Sequence, residues 1–288
     1  MISKNISQFK KRERIDTVVN ILLAFSVFIA ILTLAALIFD VLTDGLKWFD
    51  WQFFNSYPSR KPEIAGIKAA FYGTLWVMGI TAALAIPIGI STALYLEEFA
   101  EDSRFNRFIK LNISNLAGVP SIIYGIIGMA IFVELLQLGR VILAGSLTMT
   151  LLILPIIIIS SQEAIKQVPG YYMDAALALG ATKWQVVMKI ILPQSIPGIV
   201  SGFILSMSRA IGESAPMIAI SALVYLTFLP KGPLDRFTVM PIQIYNWISQ
   251  PKDEFRGLAA AGIILLLIML LSLNSLAIIL RDYFQKRR

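Results

Sequence analysis

Two charges stand inside otherwise uncharged apolar sequence. They are Arg209 and Glu213, in the run SRAIGESAP. A spacing of four residues stacks them on one face of a helix. A charge at the centre of a bilayer costs about 2.5 kcal/mol or more, and is kept where it pairs or lines a wet path. The pair has two readings. In one, Arg209 offers its planar fork to two oxygens of an anion in transit, and Glu213 neutralises it when the path is empty. In the other, the two form a fixed ion bridge holding helices in register. The default for intramembrane charge favours the first. Ser206 lies near the same face, and Gly212 and Pro216 weaken the helix around it. Ser121 and Tyr124, in NLAGVPSIIYGIIG, bring hydroxyls beside a second weak point at Gly118 and Pro120. Lining of a path and packing of small residues fit that segment equally.

Catalytic chemistry has little to work with. The chain contains no histidine and no cysteine, which removes the commonest general base, thiolate metal ligands and disulfides. The sequence holds no G-x-x-x-x-G-K-[ST] phosphate loop and no H-E-x-x-H or G-x-S-x-G motif. A chain without its own ATPase site or metal site is expected.

The composition says what positions these residues. Of 288 residues, 57% are hydrophobic and 15% charged, more apolar surface than a soluble domain of this length could cover. Uncharged runs of helical, membrane-spanning length occupy 17–39 and 69–96. Further spans are expected at 111–133, 141–161, 198–229 (interrupted by Arg209 and Glu213) and 257–280. The expected fold is all-α with six transmembrane helices. It divides into a basic arm (1–17), a first span with external loop (18–64), a core of five spans (65–280) and a basic tail (281–288). Trp48, Phe49, Trp51, Phe53 and Phe54 read as an interfacial aromatic belt. Lys and Arg number 15 on the side of the termini and 9 on the other. This places both termini in the cytoplasm and points the excess charge at anionic lipid, with no nucleic-acid partner. If the fifth span begins at Gly198, Arg209 lies roughly 16 Å in, near the midplane.

The segment 162–197 is the polar interlude between spans, and its centre is DAALALGATKWQVVMKIILP (174–193). Asp174, Ala175 and Ala176 open a short helix. Gly180 suits its C-cap and Thr182 the N-cap of a second helix. In the second helix Trp184, Val187, Met188 and Ile191 recur at i, i+3, i+4 and i+7, an apolar stripe for a partner's groove. Pro193 is expected to stop it.

The pattern Asp174-Ala175-Ala176, Gly180, then Ile190-x-Leu192-Pro193 resembles the EAA loop of ABC importer permeases, with Asp174 in place of the usual Glu. The stretches 71–100, 115–128, 170–184 and 205–217 are similar to phosphate-specific permeases of the PstA type, over roughly residues 65–280. The resemblance implies a MetI-like fold in the bacterial cytoplasmic (inner) membrane. It also implies a second, homologous permease subunit, two ATP-binding subunits that hold ATP and Mg, and an extracytoplasmic phosphate-binding protein. Another oxyanion, sulfate or molybdate, is the nearest alternative substrate. An ATPase-independent channel or carrier is the alternative class.

Overall fold

Apolar runs form long helices, even where Pro87, Pro155 and Pro197 lie inside them. Where prolines fall at critical positions the helices break, and the breaks shape the site. A computed structural model describes residues 2–286 apart from 221, 223 and 224, with side chains at 2–15, 280 and 283–286 left aside. The helices are α1 (Ile2–Gly45), α2 (Trp51–Asn55), α3 (Lys68–Leu94), α4 (Arg104–Ala117), α5 (Ser121–Gly128) and α6 (Ile142–Lys166). They continue with α7 (Tyr171–Ala178), α8 (Lys183–Val186), α9 (Leu192–Gly212), α10 (Ala215–Ala219), α11 (Met240–Ile248) and α12 (Glu254–Lys286). Among the described residues the one strand-like feature outside them is an antiparallel bridge between Val141 and Arg236. Five helical stretches are long and apolar enough to cross a membrane, and α4 with the α5 stretch makes a bent sixth. The backbone of the basic arm is helical from Ile2 and continuous with the first span.

α6 is the central post. It packs extensively on α3 and α9, and its span is the most enclosed of the five. Its first amide groups, which a helix start leaves unpaired, donate to the loop before α11: Ile142 N to Asp235 O at 3.0 Å and Leu143 N to Pro233 O at 2.8 Å. The same loop buries Phe237 in the core and gives the Met240 amide to Thr74 Oγ1 of α3 at 2.9 Å. The 230–256 segment is therefore built into the bundle.

Three expectations change. The aromatic cluster is a small core: Phe53 is fully buried, with ring centres 5.5 Å from Phe54 and 6.0 Å from Trp247. Trp51 alone of the five is strongly exposed, as a belt residue would be. The third span is not straight. α4 and the helix running from Ser121 to Leu135 meet at 104°, because Pro120 has no N–H for Leu116 O and its ring crowds that carbonyl. The fifth span begins at Lys183 and ends at Gly212. Pro193 does not stop it, since a π-helical turn at Val187–Ile191 precedes Pro193, which sits in the first turn of α9 where no intrahelical donor is required.

Candidate substrate path and coupling hairpin

α9 ends where Pro216 dictates. A proline removes the donor for the carbonyl four residues back, here Gly212, and clashes with it. The chain turns extended at Glu213 and resumes as α10. Arg209 thus lies in the last turn of α9, where a cation is favoured by the helix dipole. Its Nε is 3.5 Å from Glu213 Oε1. The pair forms as the four-residue spacing implies, but across a helix end. Counting from Lys183, Arg209 is 26 residues along a continuous helical run, roughly 39 Å. Gly198 and Gly202 lie against Ala164 and Ser160 of α6, and Glu213 shares a small pocket with Met149, so the pair, at the end of this run away from the hairpin, is level with the middle of α6.

Around the pair, the other path residues divide. Tyr124 is buried within electrostatic range of the Arg209 guanidinium. Its hydroxyl donates to Leu116 O at 2.7 Å, supplying the hydrogen bond that Pro120 cannot give. Ser121, half-buried, opens α5 next to the same break. Ser206 is fully buried, and its hydroxyl donates to Gly202 O at 2.8 Å, so it is turned into its own helix. α10 packs on α5 where Gly125 has no side chain: a Cβ there would lie 2.6 Å from Ala219 Cβ and 2.7 Å from Pro216 Cα. α5 and α10, the helices that follow the breaks at 118–120 and 213–214, are in this way held against each other.

Sequence reasoning passed over Ser208 and Asn274. The Ser208 hydroxyl bonds Asn274 Oδ1, tying α12 to α9 beside Arg209. An amide within the uncharged run 257–280 was the available signal, since such a group needs a partner inside a span. Gly198, Gly202, Leu205 and Arg209 recur on one face of α9, and the first two line a polar cavity of about 670 Å³ against α6. Ser160, Ser201, Gln194, Glu163 and Arg281 line the same cavity.

At one end of the bundle stands the hairpin α7–α8. Gly180 has φ +84° and closes α7 with the paired bonds Ala181 N to Ala176 O (3.1 Å) and Gly180 N to Leu177 O (2.9 Å), a Schellman end that a left-handed residue makes. Thr182 then opens α8 with a capping box: its hydroxyl accepts from Gln185 N, and the Gln185 side chain accepts from Thr182 N. Both caps stand where the sequence puts them.

The apolar stripe of α8 is divided. Val187 and Ile191 are buried against Ala93, Ile158, Ile165 and Ala176 of the same chain, so they root the hairpin in the bundle. Ile190 and Leu192 are half-buried, and Asp174, Ala175 and Pro193 are exposed. Trp184 is 62% exposed, its ring 6.0 Å from that of Phe99, beside an apolar groove of about 510 Å³. The outward apolar residues of α7 are Tyr171, Tyr172, Leu177 and above all Leu179, 90% exposed. The Tyr171 hydroxyl titrates above its usual range because it hydrogen-bonds Tyr172. The tip of a polar connecting segment therefore carries a contiguous exposed apolar surface.

Beneath the hairpin Glu97, with 11% of its side chain exposed, binds three partners. Lys110 lies at 3.0 Å, Lys166 at 4.0 Å, and Gln162 Nε2 donates at 2.7 Å. This joint links α3, α4 and α6, and no spacing rule in the sequence announces it.

A bundle of spans with two interrupted helices, and a hairpin of exposed apolar residues at one end, fits a transport subunit. Residues 85–288 match the binding-protein-dependent transport system inner membrane components, and the chain belongs to that family. The family's members are permease subunits of ABC transporters, which work with ATP-hydrolysing and substrate-binding partners. Among relatives, the chain is similar to the phosphate transport system permease protein PstA 1 of Mycobacterium tuberculosis (strain CDC 1551 / Oshkosh), 31% identical with 96% of this chain and 92% of that protein covered. In fold it is similar to a bacterial alginate ABC transporter in complex with an alginate pentasaccharide-bound periplasmic protein. The TM-score is 0.65 at 14% identity, covering 93% of this chain and 94% of that one. It is also similar to the inward-facing MetNI methionine ABC transporter, with TM-score 0.59 at 18% identity over 74% and 93%. The expected MetI-like fold is therefore present.

Proposed function

We propose that this chain forms half of the transmembrane path of an ATP-driven importer of inorganic phosphate. It pairs with a second, homologous permease subunit, two ATP-binding subunits and an extracytoplasmic phosphate-binding protein. ATP and Mg are held by the ATP-binding subunits, and this chain binds no cofactor. Both termini and the hairpin face the cytoplasm, in keeping with the distribution of Lys and Arg. The observation that carries the reading is the hairpin: Leu179 and Tyr171 are presented outward while Val187 and Ile191 are locked into the spans. Force applied at α8 thus reaches α9 through one continuous helical run, and Arg209 is at its other end.

ATP closes the motor subunits, which draw on α7 and α8. The run from Lys183 to Gly212 moves as a lever, and the broken ends at 118–120 and 213–214 separate or approach. The loaded binding protein delivers phosphate to the outward end. There the Arg209 guanidinium gives up Glu213 for two phosphate oxygens, a bidentate geometry that carboxylate and phosphate share. Phosphate then passes along the Leu205–Gly202–Gly198 face toward the polar cavity of α6 and α9, and hydrolysis resets the bundle. The similarity to PstA 1 supports phosphate as the anion.

The test is ATP-dependent uptake of radiolabelled phosphate by the reconstituted four-component transporter, with sulfate and molybdate as competitors. Uptake that resists both, and is lost in Arg209→Gln while the complex still assembles, is the expected result. Equal competition by sulfate or molybdate assigns another oxyanion. Undiminished uptake by Arg209→Gln makes the pair scaffolding, and transport by the chain alone makes it a channel or carrier.

A further inference from the structure

α4 has an environment that no span explains. It is 14 residues long, bent 104° from the helix that follows, and rests on the hairpin end of the bundle through Lys110 and Glu97. If the Ser121–Leu135 helix runs across the bilayer, α4 lies in its plane.

At 100° per residue the surface of α4 divides into three sectors. Asn106, Ile109, Lys110, Ile113 and Ala117 are partly buried against the bundle. Ser114 and Arg107 are exposed on a second, polar sector, where Arg107 Nη2 meets Asp102 Oδ1 at 3.2 Å. The third sector runs from Leu111 through Phe108 and Phe105 to Leu116, all exposed, with Arg104 and Asn115 between Leu111 and Phe108. Asn112 falls among these apolar residues, yet its amide donates to Phe108 O at 2.8 Å and is satisfied within the helix. Protein on one side, apolar surface below and polar surface above is the cross-section of a helix at a membrane–water boundary. Basic residues beside the apolar sector match the charge of acidic headgroups.

We propose that α4 is an interfacial helix that holds the hairpin end of the bundle on anionic phospholipid. Phe105, Phe108 and Leu116 enter the acyl boundary, and Arg104 and Arg107 meet the phosphates. The geometry is the same whichever leaflet it occupies and whatever solute is carried, so it can fail without the transport reading failing.

The chain has no cysteine, which allows single spin labels at Phe108→Cys and Ser114→Cys. The assembled transporter, made with cysteine-free partners, is placed in nanodiscs of phosphatidylcholine with phosphatidylglycerol. Collision with oxygen and with a water-soluble nickel chelate then gives the depth of each label. The label at 108 is expected about 5–10 Å below the phosphate level, and the label at 114 in water. Two water-exposed labels overturn the proposal, as do two labels shielded from both reagents, which would mean that a partner subunit covers the helix. Preference for spin-labelled phosphatidylglycerol over phosphatidylcholine should fall toward parity in Arg104→Gln/Arg107→Gln, and an unchanged preference overturns the electrostatic part.

Discussion

Gly180 offers the sharpest test of how the hairpin is held. A Cβ added there meets no atom within 4 Å, and the backbone has φ +84°. Alanine therefore introduces no clash, and its whole effect is the cost of a left-handed conformation, about 1–2 kcal/mol. That corresponds to a shift of roughly 5- to 30-fold against the turn that presents Leu179. Valine, β-branched, should cost more, and asparagine less, because its side chain tolerates this region. The assay is titration of the purified ATP-binding subunit onto the permease pair in nanodiscs, with thermal unfolding of the spans followed in parallel. The expected order of affinity is Gly, then Asn, then Ala, then Val, with the unfolding of the spans little changed. Ala binding as tightly as Gly would refute the reasoning. So would Asn as weak as Val, because neither outcome can arise from the sign of φ.

Other perturbations probe the joint and the breaks. Glu97→Gln keeps the volume but removes the charge from Lys110 and Lys166. It should destabilise the chain by about 1–3 kcal/mol, read as a lowered Tm that exposed Asp102→Asn does not reproduce. Gly125→Ala forces a Cβ against Pro216 and Ala219 and should cost about 1–3 kcal/mol, with phosphate uptake falling more than assembly. Adding Ala219→Gly should restore only part of the loss, since the Pro216 backbone stays in the way. Full restoration would show that Pro216 is not the obstacle.

Much of this was legible in the residues. The caps at Gly180 and Thr182 follow from local chemistry that needs no tertiary information, so they stand where the sequence put them. Arg209 and Glu213 were conspicuous because charge is rare in apolar sequence, and their pairing followed from spacing. Proline was read in the right terms but at the wrong places. Pro193 was expected to end a helix and sits harmlessly in a first turn, whereas Pro120 and Pro216, noted only as weak points, break two spans. The difference lies in what surrounds each ring, and a π turn or a helix end leaves no mark in a window of apolar residues. The stripe on α8 was real, but periodicity shows which residues share a face and not which neighbour covers it. The roles of Leu179, Asn274 and Glu97 depend on elements distant in the chain, and no local pattern encodes those meetings.

The helices that follow the two proline breaks meet at Gly125, and this contact ties their fates. Healing Pro216 alone with a helix former would drive α9 onward into the volume that α5 and α10 share. Healing Pro120 alone would straighten α4 into the line of α5 and pull Leu116 out of reach of Tyr124. Each repair on its own leaves the other kink without its buttress. A viable lineage would have to change both corners together, with Gly125 and Tyr124 following, so these four positions should drift as a single heritable unit.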